Sequence, residues 1–324
     1  MEKALKLSSI SIALLAAMAA HGALAQSPNQ PIKILVPITA GGGPDLTARI
    51  VGPRLAELLG RPVVVENRVG ANGNIAGQLV AQSVPDGRTL LLATDSLIVI
   101  NRQLYKKMQF DPLKDLVPVT TVTSNEFVLS VNPSVPAKTL PEFIEVARRA
   151  VPPLAYASAG NGSQHQLLME MLKARAGIEL LHVPFKGGAA AVAATIAGDT
   201  MATFSGGAST APHAKAGTLR VLAGSGARRS DAFPNVPTVG EFYPGYEGII
   251  WSGLFVPAGT PEPLVARLRA EMHRILAEPG VKDKLNNSGG LQPFITSPRE
   301  FAEIIRRDSE KYGRVVANIG LTMD

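Results

Sequence analysis

Cysteine is absent from all 324 residues. That excludes a disulfide scaffold, a thiolate metal site and a cysteine nucleophile, and leaves burial alone to hold the chain together. Histidine is scarce. His21, His165, His182, His213 and His273 include no H-E-x-x-H pattern and no close carboxylate pairing, so neither a metal site nor a cofactor is expected. The charge excess is small, 32 Lys and Arg against 26 Asp and Glu, and no block of five or six like charges forms a nucleic-acid arm. A mildly basic surface of this kind suits anionic small molecules. Enzyme signatures fail in turn: there is no G-x-S-x-G elbow, no G-x-x-x-x-G-K-[ST] and no G-x-G-x-x-G, the nearest stretch being Gly160-Asn-Gly162-Ser-Gln-His165. A Ser with a remote His and Asp stays open, because such triads are recognised by geometry.

What is present begins with an export signal. Lys3 and Lys6 precede an apolar run over residues 7–20, and Ala23-Leu24-Ala25 supplies an A-x-A site before Gln26. Residues 1–25 therefore read as a cleaved signal peptide, with Gln26 first in the mature chain. The run falls short of the ~20 apolar residues of a membrane span and no second one follows, so the chain is not expected to cross a membrane. The rest, with 46% hydrophobic residues over the length of two ordinary domains, excludes disorder and collagen and allows a sizeable core.

From Pro31, short apolar runs alternate with amphipathic segments. Residues 32–36, 63–66 and 89–94 read as strands, and 45–59, closed by Gly60, and 74–83 as helices, a β-α-β-α-β order that calls for a parallel sheet wrapped by helices. Pro53 lies inside the first helix and should kink or break it near Val51. A second α/β run follows, with strands at 154–157, 180–183, 201–204 and 219–223. Capping boxes at Thr139/Glu142 and Ser163/Gln166 open helices to Ala150 and Ala176, and further helices cover 189–197 and 210–216. Thr260-Pro261 and Ser297-Pro298 announce two C-terminal helices, each with a hydroxyl N-cap and Pro at the first helical position. The first, to about Ala277, buries Leu264, Leu268, Met272 and Ile275; the second, to about Ile319, uses Phe301, Ile304 and Ile305. Extended passages at 116–123, 127–131 and 249–256 bracket the second run and read as a two-strand hinge, flexing at about 124–127 and 249–252. Lobe 1 is then residues 26–126 with 251–324, lobe 2 is 127–250, and the C-terminal helices return to pack on lobe 1. Trp251, on a crossing strand, reads as core rather than a stacking platform.

Ligands of open α/β sheets bind beyond the carboxyl ends of the strands. The loops found there carry Ile38, Thr39, Ala40, Gly43 and Asp45; Thr94, Asp95 and Ser96; Ser158, Asn161, Gly162 and Ser163; and Phe185 and Lys186. Three of them lead straight into a helix, whose first amides lack partners and carry about half a positive charge, a setting that receives carboxylate or phosphate. His165, at the second helical position, is a candidate donor held neutral by that positive end.

Together these residues resemble the Bug family, the extracytoplasmic solute receptors of tripartite tricarboxylate transporters. The resemblance covers the mature chain. It is carried by Val36-Pro37 with Gly41-Gly42 and Asp45, by Val63-Val-Val-Glu-Asn67-Arg68 with Gly70, Gly73 and Asn74, and by Pro85-Asp86-Gly87. Further marks are Asn132-Pro133-Ser134, Tyr156-Ala-Ser158-Ala-Gly160-Asn-Gly162, His182-Val-Pro-Phe-Lys186-Gly187, Pro234-Asn-Val-Pro-Thr238 and Pro257-Ala-Gly-Thr-Pro261. It implies an α/β, two-lobed periplasmic binding fold of type II. It further implies a monomeric periplasmic receptor, not an enzyme and without a cofactor. Such a receptor closes on a small di-, tri- or aromatic carboxylate and delivers it to transporter membrane subunits. The loops named above, with Ser205, would line the cleft. Departures from the family pattern bear on the ligand. Ile38, Thr39 and Ala40 stand where an aromatic and two prolines are usual, no acid lies near Ser205, and the usual helix His is shifted to His165. A missing negative charge favours a polyanion over an amino acid. An exported hydrolase on the same scaffold and a ligand-sensing partner of a sensor kinase remain alternatives.

Overall fold

The computed structural model describes residues 30–323 except Asp231 and Gly289, so the signal peptide and its cleavage point lie outside the described residues. Strand β1 (Ile32–Val36), helix α1 (Gly43–Leu59), β2 (Val63–Asn67), α2 (Asn74–Ala81) and β3 (Thr89–Thr94) form the expected β-α-β-α-β unit. Its three strands are parallel in the order β2-β1-β3. Alternation along the strands fixes both faces. Ile34, Val36, Leu90 and Leu92 enter one core with α1, whereas Leu35, Leu91 and Ala93 enter another with Ala76 and Val80 of α2. After β3 the chain makes a fully buried π-helical turn (Ser96–Ile100) and a short helix α3 (Asn101–Leu104) that buries Asn101 and Leu104.

One strand joins the two halves. β4 (Leu116–Val131) is continuous over sixteen residues. Its span from Leu116 to Glu126 pairs antiparallel with β9 (Ile249–Pro257), which in turn pairs with β3. Its last five residues, from Phe127, pair antiparallel with β7 (Ala202–Gly206) and β8 (Arg220–Gly224). The polar Ser124, Asn125 and Glu126 interrupt the apolar pattern and predict two separate segments. They stay in the ladder because they are half-buried where the strand passes between lobes. The second lobe adds α4 (Leu140–Arg149), β5 (Ala155–Ser158), α5 (Gln164–Ala176), β6 (Leu181–Pro184), α6 (Gly188–Ala197) and α7 (Gly207–Lys215), with β6-β5-β7 in order.

The chain then returns to the first lobe through α8 (Glu262–Ala277), α9 (Pro279–Asn287), the short β10 (Gln292–Pro293) and α10 (Pro298–Ile319). α8 packs on α1 and β4 as expected. α10 packs on the π turn, α3 and β4, and also on α5 of the second lobe, so one continuous core links the lobes. Trp251 is in that core, 2% exposed, edge-on to Phe301 and donating to Asp308 Oδ2 at 2.8 Å.

Local expectations fail, wholly or in part, in four places. α1 runs unbroken through Pro53. The preceding residue is Gly52, which has no Cβ to collide with the ring, and Val51, Gly52 and Leu55 are held against the sheet. Thr260 is not the cap of α8, since its hydroxyl donates to Pro257 O. Ser163 with Gln166 makes no capping box: the Ser163 hydroxyl donates to Gly160 O at 2.6 Å, and Gln166 Oε1 accepts from Gly162 N–H. The box at Ser297/Glu300 is complete, whereas Thr139 accepts from Glu142 N–H and the Glu142 carboxylate turns to Lys138 N–H.

Candidate functional site

The first loop is built from Asp45 outward. Asp45 is the third residue of α1 and 1% exposed, and its carboxylate accepts from Gly41 N–H (2.9 Å), Arg49 Nε (3.0 Å) and Asn67 Nδ2 (2.9 Å). Asn67 also donates to Ile38 O. Burial alone would raise the Asp45 pKa, but the bonds from Arg49, the Gly41 amide and Asn67 outweigh it and hold the carboxyl below its ordinary range. Asp45 therefore organises the loop from within, its carboxylate taken up by these three donors. Thr39, Ala40 and Gly41 are exposed, Ile38 is half-buried over Gly42, and no side chain caps α1. Among the described residues, Gly43 N–H and Asp45 N–H have no acceptor, as first-turn amides do.

The segment after β3 is tighter than an ordinary loop. Thr94 is still in the ladder opposite Ser252, and Ser96 begins the π turn. Asp95, fully buried, accepts from Ser96 N–H at 2.8 Å and from the side-chain amide of Gln164, the first residue of α5 in the second lobe. Burial, and then the neighbouring Asp308, push its pKa well above the carboxylate range. Gln164 Oε1 and the Tyr312 hydroxyl are buried beside it, and the Gln164 side chain is the group that meets that hydroxyl.

In the second lobe, Gly160 (φ 127°) and Gly162 (φ 74°) bend the chain in ways other residues rarely adopt. The loop closes on itself: Gly160 N–H goes to Ser158 Oγ, Gly162 N–H to Gln166 Oε1 and Ser163 N–H to Gly160 O. Gly162 thus provides shape and not a free donor. Asn161 is exposed, and the amides of Gln164 and His165 have no acceptor among the described residues. His165 is edge-on to Phe127 with its Nδ1 buried and unpartnered, and burial lowers its pKa to about 4, so the ring is neutral. Phe185 is half-buried and gives its amide to Ser158 O. Lys186 is exposed and makes no ion pair among the described residues. Ser205 is buried against the Thr210 hydroxyl at 2.7 Å.

Asn72, which sequence reasoning missed, stands between Pro37 at the start of the first loop and Gly162 of the second. Asn72 is left-handed (φ 51°) and braced by Asn101 through bonds of 2.6 and 3.0 Å. Its neighbour Gly73 lies against Pro37 of the first loop, and its own amide faces Gly162 of the second, which is also backed by Leu104. A non-glycine φ in this region is the kind of signal only coordinates reveal. Asp95 bonded to Gln164 and Leu104 packed on Gly162 are direct contacts between the two lobes. Two open surface depressions lie away from these loops: about 490 Å³ between α5 and the end of α10, lined by Glu170, Lys173, Asn318 and Leu321, and about 250 Å³ beside Gly313. No group of three or more His, Asp or Glu side chains is placed to hold a metal ion among the described residues.

The profile described as "Tripartite tricarboxylate transporter family receptor" matches residues 47–321. The chain belongs to this receptor family. The family is one of substrate-binding receptors and not of enzymes, and the fold is the two-lobed periplasmic binding type. The receptor is 32% identical to BugT of Bordetella pertussis over 295 residues, 90% of each chain. Among solved structures it is 30% identical to Rpa4515 of R. palustris with adipate, at a TM-score of 0.82 covering 91% of this chain and 99% of that one. It is 29% identical to MatC of Rhodopseudomonas palustris with bound malate, at a TM-score of 0.78 covering 90% and 100%. Its Ser158 lies 2.6 Å from His182 Nε2, but the serine is fully buried, and no carboxylate bonds that ring among the described residues. The pair is no hydrolytic dyad.

Proposed function

We propose that this chain is a periplasmic receptor that captures a small carboxylate between its lobes and delivers it, as a monomer, to the membrane subunits of a tripartite tricarboxylate-type transporter. The observation that carries this reading is the start of α1. Thr39, Ala40 and Gly41 are exposed there, no side chain caps the helix, and the one nearby acid is turned inward and neutralised by Arg49. A partially positive end with open amides accepts an anion without a dedicated arginine. Asn161, the first amides of α5, His165 and the unpaired Lys186 supply the opposing polar side. Relatives of this architecture hold adipate and malate, which fixes the chemical class to be tried first. Closure bends the crossing strands at about 124–127 and 249–252, with lobe 1 as residues 26–126 and 251–324 and lobe 2 as 127–250. Each charge-assisted bond contributes roughly 1.5–3 kcal/mol, part of which offsets closure, so binding near micromolar, about −8 kcal/mol, is expected.

Thermal-shift screening of di-, tri- and aromatic carboxylates against sugars and amines tests the class. Carboxylates alone should raise the melting temperature; shifts only with sugars or amines would contradict it. Ser163→Pro removes both of the bonds from Ser163 to Gly160 O at a φ of −71° that proline tolerates. It should weaken carboxylate binding by about tenfold or more while leaving the unliganded melting temperature within a few degrees.

A further inference from the structure

His182 was no part of the cleft as read from sequence, and in the structure it is half-buried. It lies on β6 directly opposite Tyr156 of the parallel β5, two residues before Ser158, and its ring stacks on Tyr156 at 5.0 Å. Its Nε2 is 2.6 Å from Ser158 Oγ. That oxygen is a hub, since it accepts from Gly160 N–H at 3.1 Å and also lies 3.1 Å from Gly160 O. A hydroxyl has a single proton. With Nε2 unprotonated, the proton goes to the ring, and Gly160 O keeps its two other donors, Ser163 Oγ (2.6 Å) and Ser163 N–H (3.2 Å). If the ring is charged, Nε2–H donates instead, the serine proton turns to Gly160 O, and that carbonyl faces three donors with two lone pairs.

We infer that His182 is a positioning residue for ligand capture: its unprotonated Nε2 fixes Ser158, Ser158 fixes Gly160, and the loop is thereby set to aim Asn161 and the first turn of α5 at the cleft. This rests on the carboxylate-receptor reading above. The surroundings favour the neutral ring, and the inference places its single proton on Nδ1. Burial is the largest influence, lowering the His182 pKa; Glu170 of α5 raises it and Lys173 lowers it. Tyr156, from β5, donates its hydroxyl to Glu170 at 2.6 Å, and Lys173 pairs with Glu170 at 2.9 Å, so these three groups offset one another around the ring. α6, the helix that follows β6, carries no titratable side chain.

The test uses His182→Phe, which keeps the stack on Tyr156 and removes the nitrogen, and His182→Gln, which returns a polar group. Calorimetric titration with adipate and with malate should show affinity about tenfold weaker in the Phe variant and restored to within about threefold in the Gln variant, the scale of one hydrogen bond. Ser158→Ala should weaken binding by a similar factor. The Ser158→Ala/His182→Phe pair should be no weaker than either single change, because both break one chain of contacts. Acidification from about pH 7.5 to about pH 5 should weaken the native protein more than the Gln variant. Amide-exchange protection of residues 159–165, read without ligand, should fall in the Phe variant and recover in the Gln variant. Unchanged protection in the Phe variant, or effects of the two single changes that multiply, would overturn the inference. If neither acid binds any form, the carboxylate reading loses its support, while the exchange measurement still decides the role of His182.

Discussion

Asp45 and Asp95 each follow a strand of the first lobe, each is buried, and their surroundings drive their charge in opposite directions. Around Asp45, hydrogen bonds from Arg49, Gly41 and Asn67 overcome burial and keep the carboxylate ionised. Asp95 has one backbone amide and the neutral Gln164 amide, with Asp308 adding repulsion, so burial wins. The sign follows from linkage. Because the native pKa of Asp95 is raised, its contribution to stability is full below the ordinary carboxylate pKa and is lost as pH rises through the native pKa. Asp95→Asn keeps an acceptor for Ser96 N–H, meets Gln164 once that side chain turns its amide oxygen inward, and removes the ionisation, so it should raise the melting temperature, and by more at pH 8 than at pH 5. Each tenfold suppression of ionisation corresponds to about 1.4 kcal/mol. Melting curves at the two pH values check this; an equal or negative effect at pH 8 would show that Asp95 is charged in the fold. The sequence made half of this contrast legible. Arg49 stands four residues after Asp45, a spacing that announces a helical ion pair, whereas Gln164 meets Asp95 across 69 residues with no local trace.

At the scale of elements, periodic segments were readable and irregular ones were not. The strands Ile32–Val36 and Thr89–Thr94 and the helix ending at Ile319 are where alternation, apolar stripes and caps place them. The π turn over Ser96–Ile100 is five consecutive buried residues, a pattern with no period to read, and α9 has only Val281 and Leu285 buried, too few for a stripe. Ser163 misled because its pattern matches a capping box, but the glycines around it let the loop fold back on Gly160. Gly162 is the sharpest element-level constraint. Its φ is 74°, and any Cβ there would collide with the Leu104 side chain, itself 1% exposed. Gly162→Val should cost roughly 2–4 kcal/mol, from overpacking and a left-handed β-branched residue, and should weaken carboxylate binding by holding the lobes apart. Denaturant melts and titration check both effects. A variant of native stability would mean that the loop does not sit on Leu104.

At the scale of the whole molecule, two sheets share one strand, and a single core passes from lobe to lobe through α10. Sequence order indicated the two lobes because the β-α alternation restarts after residue 131, and the family resemblance agreed with it. That order could not show α10 touching α5, since a helix stripe reveals that a face is buried without revealing what covers it. In the described arrangement the lobes meet at Asp95 with Gln164 and at Leu104 with Gly162. Ligand capture is therefore expected beside this contact. The measurement that bears most directly on it is a crystal structure of the protein with the acid that gives the largest thermal shift. A carboxylate oxygen bonded to the amides of the 39–45 loop, with the acid's far end against residues 161–165 or Lys186, is the predicted result. The acid lodged in the groove between α5 and α10, with the first loop untouched, would contradict it.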